Sequence, residues 1–327
     1  MGSFGIVITT YAGDFCFTKA LLASIKKFLP DVPICLIQDG EFSLEEVKGI
    51  YNIVHVVKRG TTSNEFVKEN CFRSRCSSLV AFSESPFEKF LYLDSDLVLW
   101  GNILKNIHID KADFIHNIPH EGYTDKIYKG QYFDAEKLFL HTEGFDWQGC
   151  HFFNSGVFIA RKNLFEQMEF EEIVRLWKTN KSLLPTDPQS ILNVLVFRNQ
   201  KKGKIKVMEA HLQSVVPVIS SVELEKRFSF SNGEPVVVEN TIIHWAGLKP
   251  LMTNQGKVLT APEIYFRKLH LKNAKSLWRF APEIYFYYEE FVAVLERYHN
   301  GSLWLYLQRK SFRFFKHADK CRIAFLI

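Results

Sequence analysis

Phe90–Trp100, with the sequence FLYLDSDLVLW, is the most informative stretch of the chain, because a long apolar run is interrupted there by two carboxylates. Its composition predicts a buried strand. In an extended backbone, residues i and i+2 point to the same side, so Asp94 and Asp96 share one locality. Burying carboxylates without partners is costly, so we expect these two to meet water, a basic partner or a hard divalent cation.

The sequence on either side of this stretch alternates short apolar runs with helix-like segments, a pattern typical of an α/β protein with a mostly parallel sheet. Open sheets of this class bind ligands at the carboxyl ends of their strands, where Asp94 and Asp96 would lie. The polar, aromatic region 117–150 predicts a long excursion that lines or closes a site. Further strands are predicted at Gly5–Thr10, Pro33–Gln38, Ile53–Val57, Gly156–Ala160 and Thr241–His244, and helices at Phe15–Phe28, Cys71–Phe82, Phe170–Thr179 and Gln189–Phe197.

Length and composition place the chain among ordinary folded proteins, with 327 residues that are 47% hydrophobic and 24% charged. These values exclude disordered, collagen-like and coiled-coil classes. No apolar run reaches the ~18 residues that a membrane-spanning helix needs, and charges interrupt the first 30 residues, so we expect a cytoplasmic protein. Six cysteines without a C-x-x-C pair favour reduced thiols over a zinc ribbon or a disulfide framework.

Positive charge is concentrated at the C-terminal end. Residues 256–327 contain 13 Lys and Arg against 6 Asp and Glu, whereas residues 1–255 contain 28 against 30. We therefore divide the chain into a nearly neutral domain, 1–255, and a helical, basic and aromatic region, 256–327. A neutral body with a basic end argues against a general nucleic-acid binder. Segment 296–327 mixes basic and aromatic residues, which suits either an anionic membrane surface or a helix packed on the domain; such tails also bind single-stranded nucleic acid.

A second group of polar residues follows the apolar strand at Thr241–His244, in the sequence TIIHWAGLKP. The imidazole of His244 is a suitable ligand for a Mn²⁺-like metal, although a hydrogen-bonded structural role is also common for such a histidine. Gly247 permits close backbone approach to a ligand, and Lys249 offers a point charge for phosphate.

Four ordered motifs together resemble the family 8 glycosyltransferases of glycogenin and the bacterial lipopolysaccharide galactosyltransferases. They are Tyr92–Asp96 (YLDSD), Phe153–Val157 (FNSGV), Gln189–Asn193 (QSILN) and His244–Pro250 (HWAGLKP). The resemblance implies a GT-A (Rossmann-like) fold and transfer of a hexose from a UDP-sugar to a glycan or glycolipid acceptor, with Mn²⁺ or Mg²⁺ as cofactor and with retention of anomeric configuration. It also implies roles for individual residues: Asp94, Asp96 and His244 as metal ligands, Gly247 and Lys249 at the donor diphosphate, and Thr9, Thr10 and Tyr11, in the loop after the first strand, at the uridine. Ser95, Asp94 and Arg75 would also bind the donor.

The chain departs from the family pattern in two places. The family usually has an Asp-Gln pair directly before its I-L-N helix, whereas this chain has Asp187-Pro188-Gln189. Either Gln189 keeps the family position or Asp187 takes over the sugar contact, with Asn154 helping to hold the sugar. Because glutamine is a poor nucleophile, Gln189 favours attack by the acceptor on the side of the leaving group. The expected basic residue upstream of Asp94 is Arg75, with Arg73 as the alternative.

Two other functions remain open at this stage. A nucleotidyltransferase that makes nucleotide sugars also uses paired acids on an α/β sheet, but the segment Thr9–Gly13 lacks the glycine-rich basic loop of that class. A catalytically silent sugar-binding or scaffold protein of the same fold is the third possibility. Metal-dependent release of UDP from a UDP-sugar would distinguish the transferase from both.

Overall fold

The computed structural model describes residues 3–73, 76–118, 125–142, 145–216, 218–219, 221–247, 249–252 and 260–298. The seven-stranded central sheet of this described part has the strand order β3-β2-β1-β4-β7-β6-β8, and a second sheet has the order β5-β12-β9. The strands are β1 (Phe4–Tyr11), β2 (Ile34–Asp39), β3 (Ile53–Lys58), β4 (Lys89–Leu93), β5 (Leu97–Trp100), β6 (Phe114–Asn117), β7 (Val157–Arg161), β8 (Val207–Ala210), β9 (Gln213–Val216), β10 (Phe230–Ser231), β11 (Glu234–Pro235) and β12 (Thr241–Trp245).

The central sheet is mostly parallel, which confirms the predicted α/β class. Strand β1 pairs in parallel with β2 and β4, β2 with β3, and β6 with β8, whereas β7 runs antiparallel to β4 and β6. Successive side chains of β1 enter opposite layers: Ile6 and Ile8 join one hydrophobic core and Val7 joins the other. The sheet is therefore buried on both faces, as its continuous apolar strands indicate.

Helices cover both faces of this sheet. They are α1 (Phe15–Phe28), α2 (Glu65–Asn70), α3 (Ala81–Glu84), α4 (Asp125–Gln131), α5 (Ala135–His141), α6 (Gln167–Thr179), α7 (Asp187–Lys201), α8 (Ser221–Arg227), α9 (Ala261–Asn273) and α10 (Pro282–Tyr298). Leu21, Leu22 and Ile25 of α1 belong to the core that contains Ile6 and Ile8. Residues of α6 and α7 belong to the opposite core.

Phe90–Trp100 is not the single strand that its composition predicts. It forms two strands in different sheets, β4 and β5, separated by Asp94, Ser95 and Asp96. Strand β5 pairs antiparallel with β12, which places His244 opposite Leu97, and the Trp245 amide donates to the Asp96 carbonyl at 3.2 Å. The change of sheet thus brings the acidic turn beside the strand that carries His244.

The predicted helix Cys71–Phe82 is wrong. Helix α2 lies earlier, with Asn64 accepting a hydrogen bond from the Val67 amide at its start. Arg73 adopts a left-handed conformation with φ of 58° and donates its amide to the Asp39 carboxylate, and a new short helical segment begins at Ser77. The apolar spacing of this region reflects burial of its residues in the core, not one continuous helix.

Two further segments contain helices whose starts have clear local causes. The long excursion contains helices α4 and α5, and Asp134 caps α5 by accepting from the Lys137 amide. The hexapeptide APEIYF occurs twice in the chain and begins both α9 and α10, with proline near the first helical position, where its missing amide hydrogen costs no hydrogen bond. In the part of the chain that is described, no helix combines the length and hydrophobicity needed to cross a membrane.

Candidate functional site

Three side chains that could ligate a metal meet where β4 ends and β12 runs beside the acidic turn. One ligand atom each of Asp94, Asp96 and His244 lies within 4.8 Å of the others. Asp96 and His244 are buried, with 5% and 3% of their surfaces exposed, and Asp94 is partly buried. Two carboxylates and one imidazole suit a divalent ion such as Mn²⁺ or Mg²⁺. The structure therefore brings together the three residues that the sequence resemblance proposes as ligands.

The orientation of His244 is fixed by a residue that sequence reasoning missed. Its Nδ1 lies 2.7 Å from Oε1 of Gln213, in the neighbouring strand β9. With Nδ1–H donating to this amide oxygen, Nε2 is the ring nitrogen on the side of Asp96, 3.7 Å from its Oδ1. Such outer hydrogen bonds orient metal-binding histidines. The available signal was a glutamine at the start of the short strand QSVV, because a polar residue buried in a strand needs a partner.

Gly156 leaves the space in which the ligands converge. A β-carbon at this position would lie 2.5 Å from Cε1 of His244, 2.8 Å from Oδ2 of Asp94 and 3.0 Å from Oδ1 of Asn154. The Gly156 carbonyl also accepts the Asp94 amide at 2.9 Å. The FNSGV motif needs glycine at this position because Asp94, Asn154 and His244 approach it too closely for a β-carbon.

A lysine ammonium lies inside the acidic cluster. Lys249 Nζ is 2.7 Å from Asp96 Oδ2 and 3.3 Å from Oδ2 of the buried Asp14, which also accepts a hydrogen bond from Ser95 at 3.2 Å. Asp14 was not predicted from the sequence, where it is an ordinary charge directly before α1. The cluster combines three carboxylates with one ammonium, and it therefore has an unbalanced negative charge that favours a further cation.

Burial and these neighbours shift the pKa values of Asp94 and Asp96 in opposite directions. Burial, followed by the nearby Asp96 charge, raises the pKa of Asp94 to about 7, and the Tyr92 hydroxyl donates to this carboxyl at 2.9 Å. Burial alone would also raise the pKa of Asp96, but Lys249 and His244 outweigh it and hold that pKa below its ordinary value. Burial would lower the pKa of Lys249, but Asp96 and Asp14 hold it above its ordinary value. The ammonium thus compensates Asp96 more fully than Asp94.

Amide side chains extend the site from Gly156 toward α7. Asn154 accepts the Gly156 amide at 2.9 Å and donates to Oε1 of Gln189 at 3.1 Å. Gln189 in turn donates to the carbonyl of Gln131, in the long excursion, at 3.0 Å. Asp187 lies at the start of α7 and accepts from the Trp177 indole at 3.3 Å. Hydrogen bonds therefore link Gln189 through Asn154 to Gly156 beside the acidic turn, whereas Asp187 is bonded to Trp177.

The other candidate residues that the structure describes lie at the end of β1 and in the segment after β12. The loop predicted after the first strand is instead the end of β1, which includes Thr9, Thr10 and Tyr11. Thr10 is buried, and its hydroxyl lies 2.7 Å from the Thr18 hydroxyl, whereas Tyr11 is exposed. Gly247 has a φ of +82°, a conformation that glycine adopts without strain. Arg75 lies outside the described residues.

Comparisons with known proteins bear on the fold of the chain. No protein-family model matches the chain, and no curated protein matches it in sequence. The galactosyltransferase LgtC, solved with donor and acceptor sugar analogues, aligns over 82% of this chain and 95% of its own, with a TM-score of 0.50 and 16% identity.

Two further structures give similar values. An active-site variant of LgtC, with a glutamine changed to glutamate, aligns over 81% of this chain and 94% of its own, with a TM-score of 0.51 and 16% identity. The glycosyltransferase GlyE of Streptococcus pneumoniae TIGR4 aligns over 86% of this chain and 64% of its own, with a TM-score of 0.51 and 15% identity. At these identities the comparison shows the fold, and it confirms the predicted resemblance to glycosyltransferases at that level.

Proposed function

We propose that the chain is a metal-dependent glycosyltransferase that moves a hexose from a UDP-sugar to a glycan or glycolipid acceptor. The observation that carries this proposal is the convergence of Asp94, Asp96 and His244 at the strand-end edge of a sheet whose fold is shared with LgtC and GlyE. Carboxyl ends of strands are where open α/β sheets bind nucleotide ligands.

The chemistry of the donor set supports Mn²⁺ or Mg²⁺ at this position. Asp94, Asp96 and His244 would hold the ion, with Gln213 keeping His244 in the ligating orientation. A divalent ion held there supplies positive charge that offsets the charge building on the diphosphate leaving group. Lys249 contacts Asp96 and Asp14, and its ammonium would also attract the diphosphate of a bound donor. Ser95 and Gly247 would contact the same group, and Thr9, Thr10 and Tyr11 would hold the uridine at the end of β1.

The amide pair of Asn154 and Gln189 suits the transferred sugar. Both side chains can bond sugar hydroxyls, and Gln189 is a poor nucleophile that can stabilise a developing positive charge. Asp187 has a carboxylate that could act as a nucleophile, but it accepts a hydrogen bond from Trp177, whereas Asn154 and Gln189 are bonded to each other. We therefore infer acceptor attack on the side of the leaving group, with retention. Product anomers read by NMR report the stereochemistry, and an inverted product contradicts this route.

The decisive experiment measures UDP release from a panel of UDP-sugars with Mn²⁺, with Mg²⁺ and with a chelator. We expect release that requires the metal, and its loss by at least about a hundred-fold in Asp96→Ala, the scale typical of losing one electrostatic group at a leaving oxygen. Asp31→Ala, which changes an exposed aspartate, is the matched control and should keep the wild-type rate.

Other outcomes would favour the other functions. Pyrophosphate release from a nucleoside triphosphate and a sugar phosphate would indicate a nucleotidyltransferase. Binding of a UDP-sugar without UDP release under every condition would indicate a silent sugar-binding protein. A full rate for Asp96→Ala in excess Mn²⁺ would show that the acidic turn is not the metal site.

A catalytic domain of residues 1–255, a cytoplasmic location and membrane contact through 296–327 remain proposals. Most of segment 296–327 lies outside the described residues. No nucleic-acid partner is proposed, because the basic excess is confined to the end of the chain.

A further inference from the structure

Segment 249–252, which carries Lys249 into the acidic cluster, is fastened to helix α10. Both carboxylate oxygens of Glu290 accept a hydrogen bond from the Met252 amide, Oε1 at 2.9 Å and Oε2 at 3.0 Å. Glu290 lies within the helix and is only 5% exposed. A buried backbone amide outside a helix or strand needs a partner, and a carboxylate is a strong acceptor for it. One buried acid thus fixes the backbone close to Lys249.

The carboxylate of Glu290 is itself held from the side of α9. Arg267, which is 2% exposed, donates to Glu290 Oε1 at 2.8 Å, and its guanidinium lies over the Phe286 ring at 4.2 Å. Burying a carboxylate without such a partner is costly. Buried ion pairs are often no more stabilising than apolar residues of similar volume, so stability alone does not account for Glu290. The bond to the Met252 amide gives this glutamate a specific task.

Apolar contacts hold the same segment against α1 and α10. Leu251 lies in a small hydrophobic core with residues of both helices, namely Cys16, Phe17 and Ala293. Its amide donates to the Lys249 carbonyl at 2.9 Å, which makes the segment compact. Helix α10 also lies against the short 3₁₀ turn Ala12–Asp14, whose Asp14 pairs with Lys249 at 3.3 Å. The surroundings of the Lys249 ammonium are therefore built by two segments that both contact α10.

We propose that Glu290 is a positioning residue of the donor site, which holds Lys249 where its ammonium meets the acidic turn and the diphosphate. Lysine has a long, flexible side chain, so its ammonium occupies one place only when the backbone that carries it is fixed. Loosening segment 249–252 would let the ammonium leave Asp96. That change frees the carboxylate for a cation and weakens the attraction of a diphosphate. The inference rests on the proposed binding of a UDP-sugar at Lys249, and it adds α10 to the elements that build the donor site.

The test compares two neighbouring glutamates of α10 in titrations with Mn²⁺ alone and with UDP at saturating Mn²⁺. Glu290→Gln replaces the charged acceptor of the Met252 amide with a neutral one. We expect Mn²⁺ affinity to rise about five-fold and UDP affinity to fall about five-fold, the effect of weakening one hydrogen bond to a charged group. Glu289→Gln is the matched control, because the Glu289 side chain is 8% exposed and also pairs with Arg267, but its other ion pair is with Lys19. This control should keep both wild-type affinities.

A double-variant cycle separates positioning of Lys249 from general support of the fold. In the background Lys249→Met, Glu290→Gln should change UDP affinity by less than about two-fold, because the residue through which it acts is gone. Leu251→Ala loosens the same segment without touching the buried charges, and it should shift the two affinities in the same directions as Glu290→Gln does. Urea denaturation establishes that each variant is folded under the conditions of the titrations.

Three results would overturn the proposal. Equal affinities of Glu290→Gln and Glu289→Gln in both titrations would show that the bond to Met252 does not set the position of Lys249. A fall of Mn²⁺ affinity together with UDP affinity would show that Glu290 supports the whole site. An undiminished effect of Glu290→Gln in the Lys249→Met background would show that it acts through another group. By contrast, a wild-type protein that binds Mn²⁺ but not UDP would contradict the proposed donor, and the Mn²⁺ titration would still decide the role of Glu290.

Discussion

Gly156 shows at the scale of one residue how tightly the candidate metal site is built. Its missing side chain is what allows Asp94 and His244 to approach each other, because a β-carbon would lie under 3 Å from both. A methyl group there must push at least one ligand away. The site thus depends on a residue that offers no chemistry of its own.

We predict that Gly156→Ala lowers Mn²⁺ affinity by about ten- to a hundred-fold, the effect usual for changes that misplace metal ligands. Electron paramagnetic resonance of free Mn²⁺ measures this directly, without any sugar donor. Gly60→Ala is the control, because the space around a β-carbon at that position is open. Unchanged Mn²⁺ affinity in Gly156→Ala would show that the ion does not bind to Asp94 and His244.

Lys249 is a second residue whose replacement gives a distinctive result. Its ammonium lies 2.7 Å from Asp96 and so competes with any cation that this carboxylate binds. We predict that Lys249→Met raises Mn²⁺ affinity about ten-fold without nucleotide, at a pH above the pKa of about 7 of Asp94, and lowers UDP affinity by a similar factor. Calorimetric titrations with Mn²⁺ and with UDP measure the two effects. A loss in both titrations would instead show that Lys249 only holds the site together.

Sequence reasoning proposed the candidate ligands that the structure brings together, but not the residues that orient them. Asp94, Asp96 and His244 are apparent because charged or imidazole groups interrupt apolar strands. Gln213 and Asp14 are separated from them by long stretches of sequence and become neighbours through strand pairing and through the position of α1. Local pattern carries no information about which distant strand lies alongside.

Elements were predicted well where one periodicity extends over a whole element. Helix α1 and strands β1, β2 and β12 lie close to their predicted bounds. Phe90–Trp100 was read as one strand because β4 and β5 are both fully apolar, and composition cannot show that they join different sheets. The helix predicted at Cys71–Phe82 failed because the left-handed Arg73 and its bond to Asp39 are set by tertiary structure.

The repeated APEIYF hexapeptide shows the same limit within α9 and α10. The two copies start two helices, but they face opposite environments. Glu263 of the first copy is buried with 1% exposure, whereas Glu283 of the second copy is exposed and paired with Lys268. Identical local sequence therefore gives identical secondary structure and different burial, because burial depends on how each helix packs.

At the scale of the whole molecule, α9 and α10 are joined to the amino-terminal part of the chain by buried charges. Lys19 of α1 pairs with Glu289 of α10, and the hydroxyl of Tyr285 accepts a hydrogen bond from Lys19 at 3.0 Å. Arg267 of α9 pairs with Glu289 and Glu290, each at 2.8 Å. Buried pairs of this kind resist the removal of either partner, since the other charge would remain uncompensated. Stability of the fold should therefore depend on how this cluster titrates.

Glu263 gives this cluster a defined pH dependence. Burial, only partly opposed by Arg267, raises the pKa of Glu263 from 4.5 to about 8. Neither of its carboxyl oxygens accepts a hydrogen bond from another described residue. Between pH 4.5 and about pH 8, Glu263 is therefore mostly protonated in the folded protein and mostly ionised in the unfolded chain. The contribution of Glu263 to stability is therefore fully present below about pH 4.5, and it falls as pH rises toward about 8.

We predict that Glu263→Gln, which imitates the protonated acid, matches the wild type near the acidic end of this window and becomes the more stable protein as pH rises. The difference in unfolding free energy should grow by about 1.4 kcal/mol for each pH unit, as measured by urea denaturation of both proteins. Comparison of the two removes the opposing contribution of His270, whose pKa burial lowers to about 4. Glu283→Gln is the control from the second APEIYF copy: pairing with Lys268 lowers the pKa of Glu283, so it does not titrate in this window. A parallel pH dependence in wild type and Glu263→Gln would mean that Glu263 stays ionised in the folded protein and that Arg267 compensates it fully.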